Sequence, residues 1–313
     1  MIDPVVFFFL LGVLARLVRS DLRVPEPLYE ALSLYLLLAL GLKGGAELAK
    51  VDLGGLAGQT ALAIAMGALL PVLAYGLLRG LCGQDRSNAA AIAAHYGSVS
   101  VVTFAAGITH LQAREIPYEP VMPFFVAVLE VPGLLVGVLL ARMGTARGMH
   151  LAPLLKEAFV GKSVMLLLGG LAIGAFLGPD GLAPVKPFFG DLFKGALCLF
   201  MLELGLVAGG QLPALRRAGP RLAVFALAVP PLFGVVGAAT GALMGLSMGG
   251  TMLMATLAAS ASYIAAPAAM RMAVPEANPA LSISIVLGLT FPFNLLAGIP
   301  LYERLAAMIA RGA

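Results

Sequence analysis

Charge is what this sequence has least of. Only 12% of its 313 residues are Asp, Glu, Lys or Arg, about half the usual share of about 25% in a soluble domain. The apolar share is 60% and the mean hydropathy +0.99, which points to a polytopic membrane protein. Cysteine is scarce too. Cys82 and Cys198 both sit in apolar context, with neither the count of a disulfide framework nor the spacing of a metal site. The three histidines are scattered, so a zinc site is not expected and no metal is assigned beyond a possible Na+. No phosphate-binding loop, dinucleotide glycine pattern, HExxH or nucleophile elbow occurs, which leaves no ATP-driven engine and no basis for an enzyme. The net charge of +4 and pI of 9.2 come without basic runs interleaved with aromatics, so nucleic acid is not the expected partner. The surplus reads as anchoring charge at a membrane face.

What fills the sequence is apolar helix. A spanning helix needs ~20 mostly apolar residues. Ten candidates are expected, at 3–18, 28–48, 56–81, 87–109, 120–143, 159–177, 187–209, 218–244, 249–270 and 279–309. The first has Asp3 ahead of its apolar run and arginines behind it, the reverse of a signal peptide, so it is expected to be a transmembrane helix. Asn278-Pro279 starts the last. The fold class is therefore all-α, and the expected division is 1–143, a cytoplasmic linker at 144–158, and 159–313.

The two divisions resemble each other. "LALGLKGGAEL" from Leu38 aligns with "LELGLVAGGQL" from Leu202, each at the end of a second helix. "GSVS" from Gly97 aligns with "ASAS" from Ala259, each in a fourth helix. Five helices per half is an odd number, so the halves enter the membrane in opposite senses. Inverted repeats of this kind are common among secondary transporters. The bland reading is chance likeness between apolar segments. Thirteen of the twenty lysines and arginines fall on one side of the ten-helix arrangement. That side is expected to be cytoplasmic, with both termini outside.

The stretch "HYGSVSVVTF" from His95 is poor helix former in the middle of a span. Small hydroxyl residues, a glycine and β-branched valines favour a break. Non-helical backbone at membrane depth is tolerated where it lines a cavity or is buried in protein. A repeat-related break at "ASASY" would bring two sets of half-helix ends together, with N-termini that suit an anion and carbonyl ends that suit a cation. The expected substrate-binding residues are Gly97, Ser98, Val99, Ser100, Ser260, Ala261, Ser262 and Tyr263. Pro267 lies beyond, where it would kink the helix. The alternative for each serine is close helix packing. Thr103, Ser262 and Glu130 are the expected cation ligands. A charge at mid-helix costs ~2.5–3.5 kcal/mol, so Glu130 should face a cavity or partner, or else be a neutral hydrogen-bonded structural group. Glu203 has the same two readings. His95 is a proton-relay candidate or a satisfied structural donor. Gly170, Gly174 and Gly178, like Gly234, Gly237, Gly241 and Gly245, read as packing faces.

Nearly end to end, the sequence resembles the sodium-dependent bicarbonate transporter family of inorganic-carbon uptake. The resemblance is carried by "LGLKGGAEL", "YGSVSVVTF", "IPYEP" from Ile116, Glu130-Val131-Pro132, "KPFFGDLFKGALCLFMLELG" from Lys186, and "AASASYIAAPAAMRMAVPEANPA" from Ala258. It implies ten helices in two inverted repeats of five, in a bacterial inner membrane. One domain comprises helices 1, 2, 6 and 7, and a core the rest. Bicarbonate sits between the broken, crossing fourth and ninth helices, and Na+ drives uptake. It further implies a homotrimer, and a small PII-like regulatory protein, sensing adenine nucleotides, at the cytoplasmic face.

The sequence also departs from that pattern. Where the family carries Ser-Asp-Ile-Ser-Gly-Pro-Pro, it has Ser262-Tyr263-Ile264-Ala265-Ala266-Pro267-Ala268, and Val102 stands where a Ser is expected. The loss of a carboxylate and two hydroxyls bears on Na+, which takes oxygen ligands. The loop at 144–157 is short and offers a regulator less surface. Two alternatives stay open: transport of a small organic carboxylate with Na+ or H+, and a transporter-like sensor acting through a PII-like partner.

Overall fold

The computed structural model describes residues 3–48, 54–143 and 160–312. The linker expected at 144–158 lies outside them. All regular structure among the described residues is helical. In order the helices are α1 (Pro4–Leu17), α2 (Glu26–Leu48), α3 (Leu56–Gly80), α4 (Arg86–Gly97), α5 (Val101–Gln112), α6 (Met122–Arg142), α7 (Lys162–Leu182), α8 (Phe193–Gly210), α9 (Leu212–Ala218), α10 (Pro220–Leu243), α11 (Met248–Ala259) and α12 (Ala265–Ala273). The last, α13 (Pro279–Arg311), is one long rod interrupted by two π-helical turns. Counting α4 and α5 as one segment, eight helices among the described residues are long and apolar enough to cross a membrane; α1 and α11 are shorter apolar helices. The chain is a multi-pass membrane protein.

Local chemistry sets the helix starts. Asp3 caps α1 by accepting from the Val5 amide at 3.0 Å, and Pro4 occupies the first helical position, where its missing N–H costs nothing. Asp85 caps α4 through the Asn88 amide at 3.0 Å. Burial alone would raise the Asp85 carboxyl, but the hydrogen bonds from Asn88 prevail and hold it below its usual range. Ser247 caps α11 and Asn278 caps α13, the latter followed by Pro279.

The helices form two packed groups. In one, α1 lies on α8 and α2 on α7, with backbones nearly touching. A Cβ on Gly12 would fall 2.1 Å from the Leu202 carbonyl oxygen, and one on Gly174 2.3 Å from that of Leu42. Glycine at these crossings lets helices pack by van der Waals contact, the main attraction between them in lipid. Of the expected glycine faces, Gly170 and Gly174 do pack on α2, and Gly234, Gly237 and Gly241 pack against Tyr302, α11 and Thr251. The last member of each series does not. Gly178 (φ 64°) and Gly245 (φ 71°) have open space around them and turn the chain in the left-handed region, which glycine adopts without strain. The expected sixth helix, 159–177, accordingly ends where Gly178 breaks α7.

The second group contains two similar clusters, α3 with α4 and α6, and α10 with α11 and α13. Between them the broken segments are the most enclosed part of the molecule. Residues 89–109 and 249–262 are buried without exception. Glu119, from "IPYEP", reaches across to the start of α11, accepting from the Ser247 amide and from its hydroxyl at 3.1 Å. At the other end the Asn278 amide donates to Asn88 Oδ1 at 2.8 Å.

Candidate functional site: two facing helix breaks

Both expected breaks are present and they touch. Helix α4 stops at Gly97, and α5 begins at Val101 with Ser100 as its cap. Helix α11 stops at Ala259, and α12 begins at Ala265. The Ser262 amide donates to the carbonyls of His95 (2.8 Å) and Ser98 (3.1 Å). The Ser100 amide donates to Ser260 Oγ at 2.8 Å, and that hydroxyl donates in turn to the Leu257 carbonyl at 2.7 Å. The breaks thus satisfy part of each other's backbone, as membrane depth demands. Pro267 behaves differently from expectation. It is the third residue of α12, a first-turn position where proline is tolerated, so the kink precedes it and is made by residues 260–264.

The first turn of α5 opens toward the breaks. Its first intrahelical bond runs from the Phe104 amide to the Ser100 carbonyl, and Ser100 Oγ takes the Thr103 amide at 3.2 Å. The amides of Val101 and Val102 have no intrahelical acceptor, as at any helix start. Such a terminus attracts negative charge.

Three buried polar atoms here have no hydrogen-bond partner: Ser98 Oγ, Glu130 Oε2 and the Tyr263 hydroxyl. Ser98 is wholly buried and Glu130 only 4% exposed. Ser100 faces the Tyr263 hydroxyl without closing a hydrogen bond of proper geometry. Unpaired buried polar atoms cost about 1–3 kcal/mol each, so a cluster of three calls for an explanation. A cavity of about 10 Å³ lies among Val99, Ser100, Val101, Glu130, Ser163, Ser262, Tyr263 and Ile264. Glu130, Ser163 and Ile264 also line a neighbouring cavity of about 180 Å³ that runs toward Lys162. Of the three expected cation ligands, Glu130 and Ser262 meet at the small cavity. Thr103, in the first turn of α5, does not line that cavity, and its amide donates to Ser100 Oγ.

His95 Nδ1 lies 2.6 Å from the Ser262 carbonyl oxygen. A carbonyl only accepts, so Nδ1 carries the proton and Nε2 is left as acceptor. The ring also lines a separate cavity of about 110 Å³ with Arg271 and Ser282. Glu203 belongs to α8 in the first helix group, beside Tyr29, and does not line the small cavity. No group of three His, Cys, Asp or Glu that could hold a metal ion occurs among the described residues.

Several residues essential to this geometry were not legible in advance. Gly133 lets α6 pass directly over the first break: a Cβ there would lie 2.1 Å from the Gly97 carbonyl carbon. Asn294 donates from Nδ2 to the Ala259 carbonyl at 2.8 Å, and Tyr302 donates to its Oδ1 at 2.6 Å, so the open end of α11 is closed by a π-turn of α13. Tyr96 and Thr290 pair at 2.5 Å, and the Thr290 hydroxyl donates to the Ala226 carbonyl at 2.8 Å, which makes the Tyr96 hydroxyl the donor of the pair. One signal was available. "LEVPGLL" from Leu129 aligns with "LTFPFNLL" from Leu289, which sets Thr290 opposite Glu130.

No curated relative matches the chain. The profile of the Na+-dependent bicarbonate transporter superfamily matches residues 4–307, nearly its whole length. On that match, the chain belongs to the Na+-dependent bicarbonate transporter superfamily.

Proposed function

We propose that this protein is a secondary transporter of a small anion, bicarbonate, taken up with Na+ by alternating access. The observation that carries the reading is the pair of facing breaks with three unpartnered polar atoms around them. In this reading residues 97–100 and 260–263 hold the anion through amides and hydroxyls, namely Gly97, Ser98, Val99, Ser100, Ser260, Ala261, Ser262 and Tyr263. The α5 N-terminus supplies the positive end of a helix dipole. Glu130 and Ser262 hold the cation, and Thr103 fixes Ser100. One carboxylate among hydroxyls balances a single positive charge, and hard cations take oxygen ligands.

An inverted repeat with ten crossings is part of the proposal. Its support is the exchange of partners: α1 packs on α8 as α7 packs on α2, and the α3–α4–α6 cluster answers the α10–α11–α13 cluster. Movement of the second group against the first would carry the site across the barrier. A bacterial inner membrane, termini outside, a homotrimer and a PII-like cytoplasmic regulator complete the family-based picture.

The test is uptake of labelled bicarbonate by vesicles containing the Ser100→Ala, Ser262→Ala double variant. We expect transport to fall at least tenfold in correctly inserted protein; unchanged transport refutes the assignment. A second reading, proton coupling through His95, draws on its link between the Ser262 carbonyl and the Arg271 cavity. Uptake driven by a pH gradient and lost in His95→Gln would favour it.

A further inference from the structure

Ser163 stands out among the residues around the small cavity. Seven of the eight lining residues belong to the breaks, α5 or α6, all in the second helix group. Ser163 alone comes from the first group, as the second residue of α7. It is 7% exposed, and its side chain faces the Glu130 carboxyl across the boundary between the groups. The Gly161 start of α7 carries no side-chain cap. Glu130 Oε2, nine-tenths buried, has no partner.

The cavity volume of about 10 Å³ is close to the room needed by one water or one small ion. Its polar lining is one carboxylate and four hydroxyl side chains, from Ser100, Ser163, Ser262 and Tyr263. That set suits a desolvated monovalent cation. A divalent ion would want more carboxylates.

We propose that Ser163 is the first group's contribution to this cation site, so that the site is complete only in the relative position of the two groups seen here. The inference rests on the transport reading and deepens it. Sliding the second group past α7 carries Glu130, Ser100, Ser262 and Tyr263 along together but leaves Ser163 behind. The cation then loses one of its oxygen partners and Glu130 loses its neighbour. Affinity is therefore higher on the side to which the larger cavity beside Lys162 opens, and the same hydroxyl steadies that state. Ser163 is thus a cation-binding residue that sets the sidedness of cation binding.

The experiment has two parts. Binding of 22Na+ to purified protein is measured first, for the wild type, Ser163→Ala and Ser163→Thr. Then the half-saturating Na+ concentration for bicarbonate flux is measured from each face in oriented vesicles. We expect Ser163→Ala to weaken binding about tenfold, the worth of one good hydrogen-bonding partner. The rise should appear from one face only, and Ser163→Thr should restore the wild-type value. Equal values for wild type and Ser163→Ala, or an equal shift from both faces, overturn the inference and leave the transport reading standing. Absence of Na+ binding in the folded wild type overturns both. If Ser163→Ala does not fold, Ser163→Thr and Ser163→Cys carry the test. Retained binding in Ser163→Thr, with Na+ slowing thiol modification of Ser163→Cys, supports the inference; Na+-independent modification overturns it.

Discussion

Gly133→Ala is the smallest change that should disable the site without touching any polar group in it. The added Cβ would lie 2.1 Å from the Gly97 carbonyl carbon, 2.2 Å from its oxygen and 2.4 Å from the Ser98 amide nitrogen. Carbon atoms attract best at about 3.5–4.0 Å, so the two backbones must part by more than about 1 Å. Neither neighbour is a side chain that can swing away. Overpacking of this kind typically costs about 1–3 kcal/mol. The effect on transport should be larger than the effect on stability, because the displaced atoms are the first break itself. A shift of about 1 Å in a preorganised site costs on the order of a hundredfold in rate. The assay is paired: thermal denaturation of the purified protein in detergent, and uptake by vesicles with matched protein content. The expected result is a variant that folds with a lowered transition temperature and transports at a few per cent of wild type. Wild-type transport in Gly133→Ala would refute the claim that α6 and the first break are held in backbone contact.

Other predictions follow from the same contacts. Asn294→Leu removes the donor to the Ala259 carbonyl and the acceptor for Tyr302; it should cost about 1–3 kcal/mol per stranded group, seen as a lower denaturation temperature than that of Tyr302→Phe. Glu119→Ala strips two hydrogen bonds from the start of α11 and should destabilise by about 0.5–2 kcal/mol, in the same denaturation assay, whereas Glu119→Gln should retain part of the loss. Gly170→Leu should block the α2–α7 crossing, where a Cβ already lies 3.0 Å from the Leu38 carbonyl oxygen, and should abolish recovery of folded protein. Gly178→Ala meets open space, but φ 64° with ψ −178° is a backbone region that essentially only glycine adopts, so it should cost about 1–3 kcal/mol, read in the same denaturation assay.

Much of the helical layout was legible because a bilayer imposes long apolar runs. The expected third helix, 56–81, differs from α3 by one residue at its end. The breaks were legible for a related reason: serines and valines around Gly97 and Ser260 are weak helix formers in a place where helix is the default. What stayed hidden depends on contacts between distant segments. Ser163 is an ordinary serine near a helix start, and only folding brings it to Glu130, thirty-three positions earlier. Gly133 is one of 38 glycines, and nothing local marks it as the one that meets the backbone of the first break. Asn294 reads as an isolated polar residue in an apolar helix until the cut end of α11 supplies the carbonyl it serves. The roles of Gly178 and Pro267 were misread for the converse reason. Regular spacing suggests a packing glycine and proline chemistry a kink, whereas the chain turns at Gly178 and has already broken before Pro267.

The most direct test of the account is uptake of labelled bicarbonate into vesicles of purified protein, with and without an inward Na+ gradient, against empty vesicles and a pH gradient. The account predicts uptake that the Na+ gradient stimulates severalfold and that a pH gradient alone does not. Folded protein that moves no bicarbonate under a Na+ gradient would contradict it.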